Sequence, residues 1–110
     1  MIVLVLLAGV AGALVRFVVV RSLHAPLAVL TVNVVGSLLG GLLVASTAGD
    51  LRLIVLTGFC GGLTTFSTLS VETIQFALDG KFRVAVLSVL ANLVLGVGAA
   101  FVGYAIGVVV

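Results

Sequence analysis

Apolar residues form four long runs along the chain, and three short polar clusters separate them. The clusters occupy residues 21–26, 48–50 and 79–81. Because about 20 apolar residues are needed for a helix to cross the hydrocarbon core of a bilayer, each run is long enough for one crossing. The pattern therefore predicts four membrane-spanning helices, at about residues 2–20, 27–47, 51–77 and 83–107.

The connections between the predicted helices are short, which favours antiparallel neighbours in one bundle. Pro26 fits the first turn of the second helix, where a missing N–H costs nothing. The first run resembles a cleaved secretory signal, but it lacks a basic start and three more spans follow it. We therefore expect a single all-α membrane domain over residues 1–110.

Composition agrees with a membrane protein. Hydrophobic residues make up 64% of the chain and charged residues 7%, with a mean hydropathy of +1.59. Soluble domains carry about 25% charged residues. The net charge of +2 comes without a basic or aromatic patch, so no nucleic-acid partner is expected. We expect a multi-pass protein of the cell membrane.

Side chains for catalysis are scarce. His24 lies in a loop without an obvious partner, and Cys60 is the only cysteine. No pairing of a nucleophile with a base is visible, so an enzyme is not expected.

The third run contains a polar interruption over residues 57–72, which is rich in hydroxyl groups and broken by Gly58, Gly61 and Gly62. Backbone N–H and C=O groups in hydrocarbon must be paired, so a weakened helix is tolerated only where protein buries it or where it lines a wet cavity. The pattern predicts a third helix that is broken in mid-membrane, at a permeation path or an ion site.

Glycines recur one turn apart at three places, which allows close approach of helices in lipid. The pairs are Gly36 and Gly40, Gly58 and Gly62, and Gly103 and Gly107. They favour tight packing, either within the chain or between chains. Because four helices alone can hardly enclose a protected path, a dimer is expected.

Polar residues fall on single helix faces because they are spaced three or four apart. They are Asn33 and Ser37 on the second helix, Thr65, Thr68, Glu72 and Gln75 on the third, and Ser88 and Asn92 on the fourth. Taken singly, each could be a structural contact between helices. Together they offer amide and hydroxyl donors with one carboxylate, and the ring edge of Phe66 is electropositive. Such a lining favours a small anion over a cation.

Three segments resemble the signatures of the Fluc (CrcB) fluoride channel family. They are Gly-Ala-Leu-Val-Arg at 12–16, Thr-Val-Asn-Val-Val-Gly-Ser at 31–37, and Gly-Phe-Cys-Gly-Gly-Leu-Thr-Thr-Phe-Ser-Thr at 58–68. The resemblance covers the whole chain in length, order and number of spans. It implies a passive, fluoride-selective channel that exports cytoplasmic fluoride through two pores in an antiparallel dimer of the dual-topology type.

The resemblance also assigns roles to individual residues. A central structural Na⁺ would be held by backbone carbonyls of Gly61 and Thr64 from both subunits. Asn33 would be the amide donor of the pore and Phe66 the first ring of a phenylalanine pair. The other implied positions are the polar track of Thr65, Thr68 and Glu72, and Arg16 near a pore entrance, where snorkelling to the headgroups is an equal alternative.

The sequence departs from the family pattern at three positions. Leu69 replaces the second pore phenylalanine and lacks its electropositive edge. On the fourth helix, Ser88 stands where the family often has tyrosine, and Asn92 stands where it usually has serine. These departures leave a non-conducting or partly conducting accessory subunit as an alternative function.

Basic residues are unevenly placed. Arg21, Lys81 and Arg83 flank the first and third loops, whereas the opposite face has only Arg52. By the positive-inside rule, the first and third loops are expected in the cytoplasm and both termini outside. A chain with one orientation would need a paralogous, oppositely oriented partner, so both a homodimer and a heterodimer stay open. A third alternative, a proton-coupled multidrug exporter, needs a carboxylate in the first helix, where none exists.

Overall fold

A computed structural model describes all of residues 1–110 as helices and short connections. We label the helices α1 (Ile2–Ser22), α2 (Leu27–Ser46), α3 (residues 49–63), α4 (Phe66–Leu78) and α5 (Phe82–Val109). Helix α3 is composite: a π-helical segment, Leu53–Cys60, lies between the α-helical turns Gly49–Arg52 and Gly61–Leu63. Extended π-helix is rare and is often found at functional sites.

Four segments are long and apolar enough to cross a membrane, as the sequence predicts. They are Ile2–Ser22, Leu27–Ser46, Gly49–Leu78 and Phe82–Val109. The third crossing combines α3 and α4, so the predicted break within it is present. The protein is therefore an all-α, multi-pass membrane protein.

Hydrogen bonds to backbone carbonyls cap the C-terminal ends of α4 and α2. After α4, the Lys81 N–H donates to the Phe76 carbonyl at 2.8 Å and the Gly80 N–H donates to the Ala77 carbonyl at 3.2 Å. This is the Schellman arrangement, and it requires the positive φ of 79° that Gly80 adopts. After α2, the Arg52 guanidinium donates to the carbonyls of Thr47 and Val44, with an Nη2 to Val44 O distance of 2.7 Å. Arg52 is thus a C-terminal cap of α2.

Glycines allow two pairs of helices to touch through their backbones. A Cβ on Gly103 of α5 would collide with the Leu38 carbonyl of α2. A Cβ on Gly62 of α3 would collide with the Gly9 carbonyl of α1. The sequence left open whether the glycine pairs pack within or between chains. In the structure, Gly58, Gly62, Gly103 and Gly107 all pack within the chain.

Most apolar side chains face outward. Only Val29 and Val32, both near the start of α2, are large side chains with less than 2% exposure. In a bilayer such outward apolar faces are covered by lipid or by another subunit. Several buried residues lie where the start of α2 and α5 pack together beside the helix break.

Candidate ion pathway at the helix break

The break lies at Thr64 and Thr65, between α3 and α4. Both residues have extended backbones, with φ and ψ of −77° and 154° for Thr64 and −147° and 117° for Thr65. Thr65 caps α4, because its Oγ1 accepts a hydrogen bond from the Thr68 N–H at 3.1 Å. The Thr65 and Thr68 hydroxyls are also bonded to each other at 3.0 Å. The Thr65 hydroxyl thus stabilises the start of α4 directly after the break.

The side chain of Asn33 holds both backbone polar groups of Thr65. Its Oδ1 accepts from the Thr65 N–H at 2.8 Å, and its Nδ2 donates to the Thr65 carbonyl at 3.3 Å. The same Nδ2 donates to Asn92 Oδ1 at 2.8 Å. Asn92 in turn donates from Nδ2 to the Ser88 carbonyl at 2.8 Å. A chain of hydrogen bonds therefore connects α2, the break and α5.

The break diverts the hydrogen-bond donors of two carbonyl groups. In a continuous α-helix, the carbonyl of residue i accepts from the N–H of residue i+4. The Thr65 N–H, which would bond the Gly61 carbonyl, donates to Asn33. The Thr68 N–H, which would bond the Thr64 carbonyl, donates to Thr65 Oγ1. Gly61 and Thr64 are the two residues predicted as carbonyl ligands of Na⁺, and hard cations prefer oxygen ligands.

No cluster of three or more His, Cys, Asp or Glu side chains occurs that could hold a metal ion. The carbonyls of Gly61 and Thr64, whose helical donors are diverted at the break, are oxygen groups of the kind that a hard cation binds.

A groove of about 440 Å³ opens beside the break, and we call it the break groove. It is lined by Asn33, Ser37, Thr64, Thr65, Phe66, Leu69, Val89, Asn92 and Leu93. Six of these were predicted from the sequence as pathway residues: Asn33, Ser37, Thr65, Phe66, Leu69 and Asn92. Phe66 lies at the edge of the groove with 82% of its surface exposed in the single chain.

The remaining predicted residues lie outside the break groove. Thr68 adjoins it through Thr65, and Glu72 follows one turn later with a buried Oε1 that has no hydrogen-bond partner. Ser88 is 7% exposed and lines a separate cavity of about 360 Å³ at the start of α2, which Asn92 also lines. Gln75 is exposed. Arg16 is half-buried on α1 and lines none of these cavities.

A second groove, of about 700 Å³, runs between α2, α3 and α5, and we call it the small-residue groove. Its lining is Gly36, Ser37, Gly40, Gly41, Val44, Leu56, Cys60, Gly61, Thr64, Val97, Ala100, Phe101 and Tyr104. Five of these residues were singled out from the sequence, namely Gly36, Gly40, Ser37, Gly61 and Thr64, whereas the aromatic pair Phe101 and Tyr104 was missed. Their spacing of three on α5 is the signal that places both on one helix face.

Sequence reasoning also treated Asn33 and Asn92 as members of separate polar faces. The direct bond between them was missed, since nothing in the spacing on either helix fixes their relative height. The signal available was that an amide offers both donors and an acceptor and needs partners for them when buried.

Comparison with known proteins supports a single family. A family model described as "CrcB-like protein, Camphor Resistance (CrcB)" matches residues 3–104. The chain is 47% identical over 105 residues to "Fluoride-specific ion channel FluC 1" of Nocardia farcinica, covering 89% of this chain and 74% of that protein. It is 41% identical over 115 residues to "Fluoride-specific ion channel FluC 2" of Cutibacterium acnes, covering 94% of each.

A further relative, "Fluoride-specific ion channel FluC" of Photobacterium profundum, is 41% identical over 110 residues, covering 89% of this chain and 87% of that protein. The match to the family model includes the break and reaches all four crossings. By these matches the chain belongs to the CrcB-like family.

Proposed function

We propose that this protein is a passive, fluoride-selective ion channel that exports cytoplasmic fluoride. The observation that carries the proposal is membership of a family whose curated relatives are named as fluoride-specific ion channels. Those names describe channels and not enzymes. The site geometry supplies the physical support.

The break groove has the chemistry of an anion path. It presents amide and hydroxyl groups and no charged side chain. Helix α4 begins at Phe66, beside the groove, so the positive end of its dipole lies there in mid-membrane. The carboxylate of Glu72, three residues after Leu69 on α4, does not line the groove. Such a lining would replace water around a small anion with fixed donors.

The single chain leaves this path open on one side, which supports a dimer. Phe66 is largely exposed at the edge of the break groove, and the small-residue groove is open as well. A second subunit would provide the missing wall of the path. By the twofold symmetry of a closed dimer, every path formed with one chain occurs again with the other. We propose an antiparallel dimer with two pores on this basis.

A structural Na⁺ at the break is part of the proposal. Gly61 and Thr64 both line the small-residue groove, and the break diverts the donors of their carbonyls. A second copy packed against this groove would bring another pair of carbonyls close to the first. A bound cation there would offset the negative ends of these dipoles. If so, replacing Na⁺ by a large organic cation lowers the thermal unfolding temperature of the dimer.

The identity of the second subunit has two candidates. A second copy of this chain is one, and a paralogous chain in the opposite orientation is the other. The observation that bears on the second candidate is the placement of basic residues: Arg21, Lys81 and Arg83 flank the first and third loops, whereas only Arg52 lies near the second. A chain limited to the orientation with cytoplasmic first and third loops would need such a partner to form an antiparallel dimer. In that case Leu69 would mark an accessory subunit.

Growth of a bacterium that lacks its own fluoride exporter tests the function in cells. Expression of this chain should raise the fluoride concentration that the cells tolerate, whereas tolerance to chloride should not change. An Asn33→Asp variant that reaches the membrane at the same level is the matched control. Equal tolerance in cells with the chain, the variant and an empty vector would contradict the proposed function.

A further inference from the structure

Asn92 occupies a position from which it controls the orientation of another amide. It is 8% exposed, and each of its two hydrogen bonds is specific for one end of its amide group. Its Nδ2 donates to the Ser88 carbonyl, which can only accept, so the oxygen of Asn92 must point away from its own helix. That oxygen, Oδ1, accepts from Asn33 Nδ2 at 2.8 Å.

The orientation of Asn33 follows from that of Asn92. An amide turned by 180° would place Asn33 Oδ1 against Asn92 Oδ1 and against the Thr65 carbonyl, where only acceptors would meet. Asn92 and the Thr65 backbone therefore favour the same orientation, in which Asn33 accepts from the Thr65 N–H and donates to both the Thr65 carbonyl and Asn92 Oδ1. Hydrogen bonds thus connect the Ser88 carbonyl to Asn92, Asn92 to Asn33, and Asn33 to the backbone at the break.

We propose that Asn92 is a positioning residue for ion conduction. It helps to fix the orientation of the Asn33 amide, and that amide binds the backbone N–H and carbonyl of Thr65 at the break. This inference rests on the proposed function, since it assigns a role within the same pathway. Without Asn92, the Asn33 amide would lose the shorter of its two donor bonds and would keep only the 3.3 Å bond from Nδ2 to the Thr65 carbonyl and the bond from the Thr65 N–H. Its oxygen could then turn toward the break groove and repel an anion.

A direct test uses Asn92→Ala and Asn92→Asp in reconstituted liposomes. Alanine removes the acceptor, and fluoride flux should fall about tenfold, the effect of losing one hydrogen bond of ordinary strength. Aspartic acid in its neutral form has the same donor and acceptor pattern as asparagine: its carbonyl can accept from Asn33 and its O–H can donate to Ser88. Ionised aspartate loses the donor and adds a negative charge.

The flux of Asn92→Asp, divided by that of the native chain at the same pH, should therefore approach one in mildly acidic buffer and fall as the pH rises. No titratable side chain lines either cavity beside Asn92. Glu72 is present in both proteins, and so its titration cancels in the ratio. Val94→Ala, a change at an outward-facing residue of the same helix with 64% exposure in the single chain, is the matched control.

A second measurement does not depend on transport. Hydrogen exchange at the Thr65 amide, followed by NMR in micelles, should be about five- to tenfold faster in Asn92→Ala than in the native chain or in Val94→Ala. Native flux of fluoride with unchanged Thr65 exchange in Asn92→Ala, or a pH-independent flux ratio for Asn92→Asp, would overturn the positioning role. Absence of fluoride flux in the native chain would contradict the proposed function, and Thr65 exchange would still decide the role of Asn92.

Discussion

The amide of Asn33 binds the backbone of Thr65 through both its oxygen and its nitrogen, at 2.8 and 3.3 Å. A backbone N–H and a backbone C=O that a helix would normally pair are thus paired by one side chain from a neighbouring helix. Unpaired groups of this kind are costly in hydrocarbon. The contact explains how the third crossing can be broken in mid-membrane and still be stable.

Replacing Asn33 with aspartate should strongly reduce fluoride flux. The ionised carboxylate of Asn33→Asp could accept from the Thr65 N–H, but it could not donate to the Thr65 carbonyl or to Asn92, and it would place a negative charge beside an anion path. Flux is measured on protein shown by light scattering to be dimeric. Val35→Ala, an exposed position on the same helix, is the control. Normal conduction by a dimeric Asn33→Asp protein would assign Asn33 a structural role only.

Replacing Gly103 with Ala should destabilise the bundle. A Cβ at Gly103 would collide with the Leu38 carbonyl, whereas a Cβ at Gly98 on the same helix would meet nothing within 4 Å. Overpacking of this kind costs about 1–3 kcal/mol. Thermal unfolding in detergent should therefore show a lower midpoint for Gly103→Ala than for Gly98→Ala. Equal midpoints would mean that α2 and α5 are not in backbone contact.

The sequence was sufficient for features that depend on local pattern. Hydrophobic runs and polar clusters predicted the four crossings, and the glycines and hydroxyl residues near Thr65 predicted the break. The relation between Asn33 and Asn92 could not be predicted, because it depends on how far α2 is shifted along α5. That shift is set by backbone contacts such as Gly41 with Ala100, which are visible only in three dimensions.

Similarly, the π-helical segment Leu53–Cys60 has no signature in the apolar sequence that forms it. Its hydrogen bonds skip one residue more than those of an α-helix, but its side chains are as apolar as those of any other span. The packing of Gly12 against the Phe59 carbonyl shows how closely α1 approaches this segment. Tertiary contacts, and not residue preferences, distinguish it from ordinary helix.

Replacing Leu69 with Phe separates a deficient pore from an accessory subunit. Leu69 lines the break groove with Phe66, which lies three residues earlier. Since an aromatic edge attracts anions and leucine has none, Leu69→Phe should raise fluoride flux if the isolated chain forms the pore. The conservative change Leu69→Met is the control. An inactive Leu69→Phe protein would indicate that the chain needs a different partner subunit.

Orientation can be measured by labelling single cysteines in cells. On a Cys60→Ala background, insertion in the single orientation that a heterodimer needs would protect cysteines replacing His24 in the first loop and Asp79 in the third loop from a membrane-impermeant maleimide added outside. In the same orientation, a cysteine replacing Ala48 in the second loop would react. This outcome follows from the basic residues Arg21, Lys81 and Arg83. Equal reaction of all three cysteines would show insertion in both orientations and would favour a homodimer.

Fluoride efflux from liposomes that contain only this purified chain tests the central claim most directly. With potassium fluoride inside and valinomycin to carry the compensating charge, the protein should release fluoride without any proton gradient and should release chloride poorly. Release that requires a pH gradient, or equal release of chloride, would contradict a passive fluoride-selective channel. No release from a chain shown to be dimeric would equally contradict conduction by this chain alone.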